Sequence, residues 1–380
     1  MNKTQSNVKK VLFIFGTRPE AIKMAPVIKE FDNHNSFKVA TCSTGQHLEM
    51  LDQVVDFFKI DLDFKLNLMT KNQSINSLSS KILIGIDRVL SSEKPDFVFV
   101  HGDTTTTALA SVAAFHQKNK ICHIEAGLRT YNKLSPFPEE MNRTITSKLA
   151  DFHFCPTIQS KENLLNENVK ESSTCVTGNT VIDSLLYGIK KVNNLDSKMM
   201  KILNKKINFN KKVILVTGHR RENFGQGLRN ICNALLKIAK NNDVEIVYPV
   251  HLNPNVKSVV DKMLNKIDNI HLIDPLNYPT FIWVMNKAHI ILTDSGGIQE
   301  EAPSLGIPVL VMRDTTERPE GIVAKTSILV GTKTQEIVKM TEKLLREESF
   351  YNEISVKKNP YGDGKASEKI LNFLLEKIGE

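Results

Sequence analysis

The sequence predicts an α/β fold of two Rossmann-like, doubly wound domains, and three observations carry that prediction. Short β-rich runs alternate with helical patterns along most of the chain, the mark of βαβ units and a parallel sheet. The alternation breaks once, at the lysine-rich stretch Lys190 to Lys212, and then restarts. Polar and glycine-containing turns follow several apolar runs, at the carboxyl ends of strands, where ligands of open α/β sheets bind.

Taken in order, strands are expected at Val11–Phe15, Val39–Ser43, Phe97–His101, Cys122–Glu125, Phe152–Cys155 and Cys175–Thr177 in the first half. The second half repeats the pattern at Val213–Thr217, Glu245–Val250, His271–Ile273, Ile290–Thr293, Val309–Met312 and Ile328–Val330. The lysine-rich stretch between them reads as a linker or a solvated surface helix. Domains are therefore expected over residues 1–180 and 181–362. The last segment, 363–380, reads as an amphipathic helix after the turn Asn359-Pro360-Tyr361-Gly362-Asp363-Gly364, placed to pack back on the first domain.

Composition narrows the function classes. The 380 residues are 41% hydrophobic and 24% charged, and carry a net charge of +8. The lysines are dispersed and form no basic stripe interleaved with aromatics, which argues against a nucleic-acid partner. No apolar run approaches the roughly 18 residues of a membrane span, and Met1 to Lys10 is polar. A cytoplasmic enzyme without membrane association is expected. Cys42, Cys122, Cys155, Cys175 and Cys232 are odd in number and lack C-x-x-C spacing, so reduced thiols are expected, not a disulfide framework or a zinc ribbon. No ligand cluster indicates a metal.

The turn after the first strand, Phe15-Gly16-Thr17-Arg18-Pro19-Glu20, opens a helix. Helix N-terminal amides and the cations Arg18 and Lys23 suit an anionic ligand there. The G-x-G-x-x-G dinucleotide fingerprint is missing, so a phosphorylated substrate fits better than a nicotinamide cofactor. In His101-Gly102-Asp103-Thr104, capping of the next helix by Asp103 or Thr104 would explain the polar residues without chemistry. Glu125, in His123-Ile124-Glu125, is harder to explain structurally because it ends a strand facing the ligand side. The H-x-E spacing matches zinc deaminases, but their P-C-x-x-C partner is lacking. Glu139, in Pro138-Glu139-Glu140, suits a helix first turn and an i,i+4 pair with Arg143.

In the second half, Thr217-Gly218-His219-Arg220-Arg221 gathers one imidazole and two guanidiniums at a strand end, a costly arrangement without an anion. Asp294-Ser295-Gly296-Gly297 matches a serine-protease segment by letters alone, since those proteases are all-β. A backbone nest for phosphate, with Ser295 and the amides of Gly296 and Gly297 as donors, fits the α/β pattern. Glu301, one turn on, is placed to accept ribose hydroxyls. Each half thus supplies a phosphate-binding turn, and the first adds carboxylates; a nucleotide-sugar between the domains is expected.

These residues form a recognisable set. F-G-T-R-P-E-A-I-K-M-A-P, H-G-D-T-T-T-T, H-I-E-A-G-L-R-T, T-G-N-T-V-I-D, T-G-H-R-R-E, Y-P-V-H-L-N-P-N, T-D-S-G-G-I-Q-E-E-A-P-S-L-G and R-D-T-T-E-R-P-E resemble the bacterial non-hydrolysing UDP-N-acetylglucosamine 2-epimerases, from about Val11 to Gly364. The resemblance implies the GT-B architecture, an active site in the inter-domain cleft, no cofactor, a homodimer, and interconversion of UDP-GlcNAc and UDP-ManNAc for surface polysaccharide. It implies that Asp103, Glu125, Glu139 and His219 are catalytic. Arg18, Lys23, Ser295 and Glu301 match positions that hold UDP, with Phe281 and His251 on the uracil side. Gln46-His47 matches part of a site where some relatives bind a second UDP-GlcNAc as activator. Here Glu49 and Asn72 stand where certain relatives carry glutamine and arginine, which sets that activation in question.

Overall fold

The computed structural model describes residues 8–45, 48–70 and 73–379, and they divide into two compact units. One comprises Met1–Ser184 with Gly362–Glu380; the other comprises Leu185–Tyr361. The first holds seven parallel strands: β1 (Lys9–Phe15), β2 (Phe37–Ser43), β3 (Phe64–Lys65), β4 (Phe97–His101), β5 (Lys120–Ile124), β6 (Phe152–Cys155) and β7 (Thr174–Val176). Their order is β3-β2-β1-β4-β5-β6-β7. The second unit holds β8 (Lys212–Thr217), β9 (Val244–Pro249), β10 (Ile270–Ile273), β11 (Ile290–Thr293), β12 (Val309–Val311) and β13 (Ser327–Leu329). Their order, β10-β9-β8-β11-β12-β13, repeats that of the first six strands of unit one. Both units are therefore Rossmann-like, as the alternation predicts. The strand order reverses at β1/β4 and at β8/β11, and those switch points create a crevice at the carboxyl ends.

The runs become strands because they are apolar on both faces, as a sheet covered by helices requires. Val11 to Phe15 are all fully buried. Phe13 stacks on Phe99 at 4.6 Å and meets Phe31 edge-on at 5.7 Å, linking β1, β4 and helix Arg18–Asp32. Phe154 of β6 meets Phe373 of helix Ala366–Gly379 edge-on at 5.7 Å, so the C-terminal helix closes this face. Burial of each such ring contributes about 1.5–3 kcal/mol. Asp183 fixes the start of that helix by accepting from the amides of Ala366 and Ser367 at 3.2 and 2.8 Å.

Helix Arg18–Asp32 contains Pro26, which cannot donate to the carbonyl of Ile22 four residues earlier. The Ser184 hydroxyl donates to that carbonyl at 2.5 Å, so the helix continues without an orphaned acceptor. The lysine-rich stretch is largely helical: helix Thr180–Val192 runs into it, and Lys198–Lys206 forms a helix burying Met200 and Leu203. The two-residue strand β3 was not expected, being too short to show a period. Among the described residues, no helix is long and apolar enough to cross a membrane.

Candidate active site

In the first unit, the β1 turn is held from within. Thr17 caps helix Arg18–Asp32 and Glu20 completes a capping box. One Glu20 oxygen accepts from the Gly16 and Thr17 amides at 3.1 and 2.7 Å. The other accepts from the hydroxyls of Thr104 and Thr107 at 2.8 and 3.2 Å, tying this turn to the turn after β4. Here the structure corrects the expectation of an anion cradled by amides: an internal carboxylate already occupies those donors. Arg18 stands half-buried at the first helical position. Gly16 is required by close approach, since a Cβ there would lie 2.4 Å from Thr44 Oγ1 and 2.5 Å from Thr106 Oγ1.

Glu125 follows β5 with φ of 61°, a left-handed conformation that a non-glycine residue adopts only when its surroundings hold it. Helix Arg18–Asp32 and two other strand-end segments do so. Lys23 Nζ lies 2.6 Å from Glu125 Oε1, and Asn179 Nδ2 donates to the same oxygen at 3.1 Å. His101 Nε2 lies 3.3 Å from Oε2, out of line for a full hydrogen bond. Burial pushes His101 down to about 4, with Glu125 opposing, and His123 down to about 3, so both imidazoles are neutral near pH 7. Lys23, expected to hold UDP, is therefore a carboxylate partner in this structure.

Asp103 does not cap the next helix; Thr104 does, accepting from the Thr107 amide. Asp103 pairs with Arg143, whose guanidinium also lies 3.4 Å from Glu140. Asn142 donates to the Asp103 carbonyl at 2.9 Å, fastening helix Glu139–Leu149 to this turn. The Asp103 carboxyl is raised above its ordinary value by burial, opposed by Arg143 and reinforced by Glu125. The expected Glu139–Arg143 pair gives way to these contacts. Glu139 starts the helix half-buried, while Glu140 accepts from the Thr130 and Tyr131 amides at 3.0 and 2.9 Å.

In the second unit, the fully buried Asp294 after β11 organises the turn after β8. It accepts from the amides of His219 and Arg220 at 3.0 and 2.9 Å and from Asn223 Nδ2 at 3.1 Å. His219 stacks on His251, centroids 5.2 Å apart. Its imidazole is held below the ordinary value by burial first; Asp294 opposes this, and His251 and Arg220 add to it. Arg313 pairs with Glu222 at 2.6 Å and joins the turn to the segment after β12. Ser295 precedes helix Gly296–Glu301, and no side chain caps that helix. A Cβ on Gly297 would meet nothing within 4 Å, whereas one on Gly296 would touch the Arg318 guanidinium. Glu301 is buried. Burial, reinforced by the Glu301 charge, pushes the Tyr278 phenol well above its usual range. Phe281 is half-buried on helix Tyr278–Asn286, and His251 is exposed beyond β9.

The structure thus brings Lys23, Asp103 and Glu125 together in one unit, and His219 and His251 together in the other. Gln46, His47 and Asn72 lie outside the described residues, as does the side chain of Glu49. Glu20, Asn179 and Asp294 were not singled out from sequence. The T-x-x-E capping box signals Glu20; Asp294 and Asn179 carry no signal beyond their position after a strand.

Comparison with known proteins agrees with this architecture. A family model described as UDP-N-acetylglucosamine 2-epimerase matches residues 29–375. The UDP-N-acetylglucosamine 2-epimerase of Salmonella borreze is 55% identical, over 97% of this chain and 98% of that protein. The enzyme of the same name from Campylobacter jejuni is 53% identical over the same shares. The crystal structure of the Neisseria meningitidis UDP-GlcNAc 2-epimerase bound to UDP-GlcNAc is 51% identical, covers 97% of this chain and all of that one, and superposes with a TM-score of 0.86. With the matching model, the identities and the two Rossmann-like sheets in agreement, the chain belongs to the UDP-N-acetylglucosamine 2-epimerase family of isomerases.

Proposed function

We propose that the protein interconverts UDP-GlcNAc and UDP-ManNAc by eliminating and re-adding UDP, supplying ManNAc-type sugar for surface polysaccharide. The C2–H of a pyranose has no adjacent carbonyl and is not acidic. Cleavage of C1–O with departure of UDP creates oxocarbenium character at C1, which acidifies C2–H. A carboxylate takes that proton, leaving 2-acetamidoglucal. Protonation of C2 from the opposite face and return of the UDP oxygen to C1 complete the inversion.

The observation that carries this reading is the pair of differently housed carboxylates Asp103 and Glu125. Burial raises the Asp103 carboxyl, which suits it to hold a proton, while Lys23 and Asn179 supply a cation and a donor for an ionised Glu125. Environments that separate two carboxyls in this way provide an acid and a base at one pH. Glu139 completes the carboxylate set. His219 contacts the diphosphate or protonates the leaving group, with Arg18, Ser295, Gly296 and Gly297 as further phosphate contacts. Glu301 takes the ribose, and His251 and Phe281 the uracil side. The two units act as the two domains of the enzyme, which works as a homodimer; a second UDP-GlcNAc at Gln46-His47 as activator would give sigmoidal turnover of UDP-GlcNAc.

The test is proton NMR of the purified protein with UDP-GlcNAc in D₂O. UDP-ManNAc carrying deuterium at C2 is expected. Free ManNAc plus UDP would make the enzyme a hydrolysing one, and unchanged substrate would overturn the reading in favour of a transferase or a nucleotide-sugar sensor.

A further inference from the structure

We propose that Asn179 is a positioning residue for Glu125, holding its carboxylate in the geometry needed for proton transfer at C2. The inference rests on the functional reading above and adds a residue to it. Asn179 lies beyond β7, is 2% exposed, and sits 54 residues from Glu125 in sequence. Its side-chain oxygen accepts the amide of Val181 at 3.0 Å. A backbone N–H can only donate, so the atom facing Val181 is the carbonyl oxygen and the NH₂ must face Glu125. It does so at 3.1 Å, on the same Oε1 that Lys23 contacts at 2.6 Å.

Lys23 alone would not fix this carboxylate, because an ammonium is a rotatable point charge on a flexible stem. Asn179 adds direction: its amide is oriented by the bond from Val181. Glu125 needs such a lock because its own φ of 61° is intrinsically disfavoured. Among the described contacts, His101, held neutral by burial, and Asp103 also face Glu125. A new negative charge at position 179 therefore acts on Glu125 directly.

The test compares Asn179→Asp with Asn179→Ala in the full-length enzyme. Aspartate keeps the acceptor for Val181 but turns the donor facing Glu125 into a like charge, which disfavours the ionised carboxylate. For Asn179→Asp, kcat should fall about 10- to 100-fold, as expected for loss of a hydrogen bond to a charged group. KM for UDP-GlcNAc should stay within about twofold, and the acidic limb of the kcat profile should move to higher pH by roughly one unit. Asn179→Ala should lower kcat with less movement of that limb. A thermal melt confirms folding of each variant. An acidic limb in Asn179→Asp that coincides with wild type, or kcat and KM that change together with melting temperature, would overturn the proposal and leave Asn179 a helix cap. Deuterium exchange at C2 separates the two levels. Exchange in wild type with an unmoved Asn179→Asp profile defeats this inference alone, whereas no exchange in wild type defeats it together with the functional reading.

Discussion

The two units share one strand order, and in both a carboxylate takes the amides of the turn after the first strand, Asp294 playing that part in the second, yet their helix N-termini differ. In the first, the amides of Gly16 and Thr17 are taken by Glu20 of the same turn, and the carboxylates of Asp103 and Glu125 are held by neighbouring cations and amides. In the second, the helix after β11 has no side-chain cap and Gly297 faces open space. First-turn amides of a helix have no partner within it. The same topology thus yields a scaffold for carboxylates when its donors are satisfied internally and, under the proposed function, a receptor for the diphosphate when they are left to a ligand.

The largest expected effect sharpens the carboxylate half of that contrast. Asp103→Asn keeps size and shape but removes the proton-exchanging group. Steady-state assays should show kcat reduced about 10²- to 10⁴-fold, the range for loss of a general acid or base, with KM changed only a few-fold. A loss below tenfold would remove Asp103 from the chemistry. The next comparison pits one glycine against another. Gly16→Ala forces a methyl against Thr44 and Thr106, and overpacking of this kind costs about 1–3 kcal/mol, visible in denaturant unfolding. Gly297→Ala meets nothing and should change stability by less than about 0.5 kcal/mol while weakening UDP binding in calorimetry. The reverse pattern would erase the distinction between scaffold and receptor.

Much of this was legible in the chain. Runs such as Val11–Phe15 and Ile290–Thr293 are apolar on both faces and bounded by glycine or polar turns, so their strand identity follows from local pattern. The two-residue β3 owes its existence to pairing with β2 and has no period to read. Glu125 and His219 stood out because each ends a strand. Their partners did not: Asn179 lies 54 residues from Glu125, and Asp294 lies 75 from His219. Those contacts exist only once parallel strands set side by side the ends of segments distant in sequence. The same limit explains Lys23, a cation beside a phosphate-like turn in sequence but a counter-charge to Glu125 in space.

A smaller effect tests the receptor half. His219 is depressed below its ordinary value by burial, then by His251 and Arg220 against the pull of Asp294. A bound diphosphate would favour the imidazolium and raise that value. Between the depressed free value and the raised bound value, binding takes up a proton, so affinity for UDP should fall as pH rises through that window. Calorimetry across that window in buffers of different ionisation enthalpy should register net proton uptake on binding, and His219→Asn should abolish it. Uptake that persists in the variant would assign the proton to another group.

The smallest expected effect concerns Glu20 and asks whether the scaffold half is built around a charge or around a shape. Burial raises the Glu20 carboxyl above its ordinary value, against four hydrogen bonds that lower it. From the ordinary carboxylate value up to the raised folded value, the native state holds more protons than the unfolded state. Stability therefore declines as pH rises through that window and levels off above it. Glutamine cannot titrate, yet its carbonyl can accept from Gly16 and Thr17 while its NH₂ faces Thr104 and Thr107. Thr107 can accept there because its own hydrogen can go to the His101 carbonyl, 2.6 Å away. The melting temperature of Glu20→Gln relative to wild type should accordingly increase as pH rises through that window. A difference that is constant with pH would mean that no titrating carboxyl is buried at this turn. A severe loss of stability at every pH would mean that the turn needs the negative charge itself, in which case the internal carboxylate mimics a bound anion and the two units differ in the origin of their anion, not in whether they hold one.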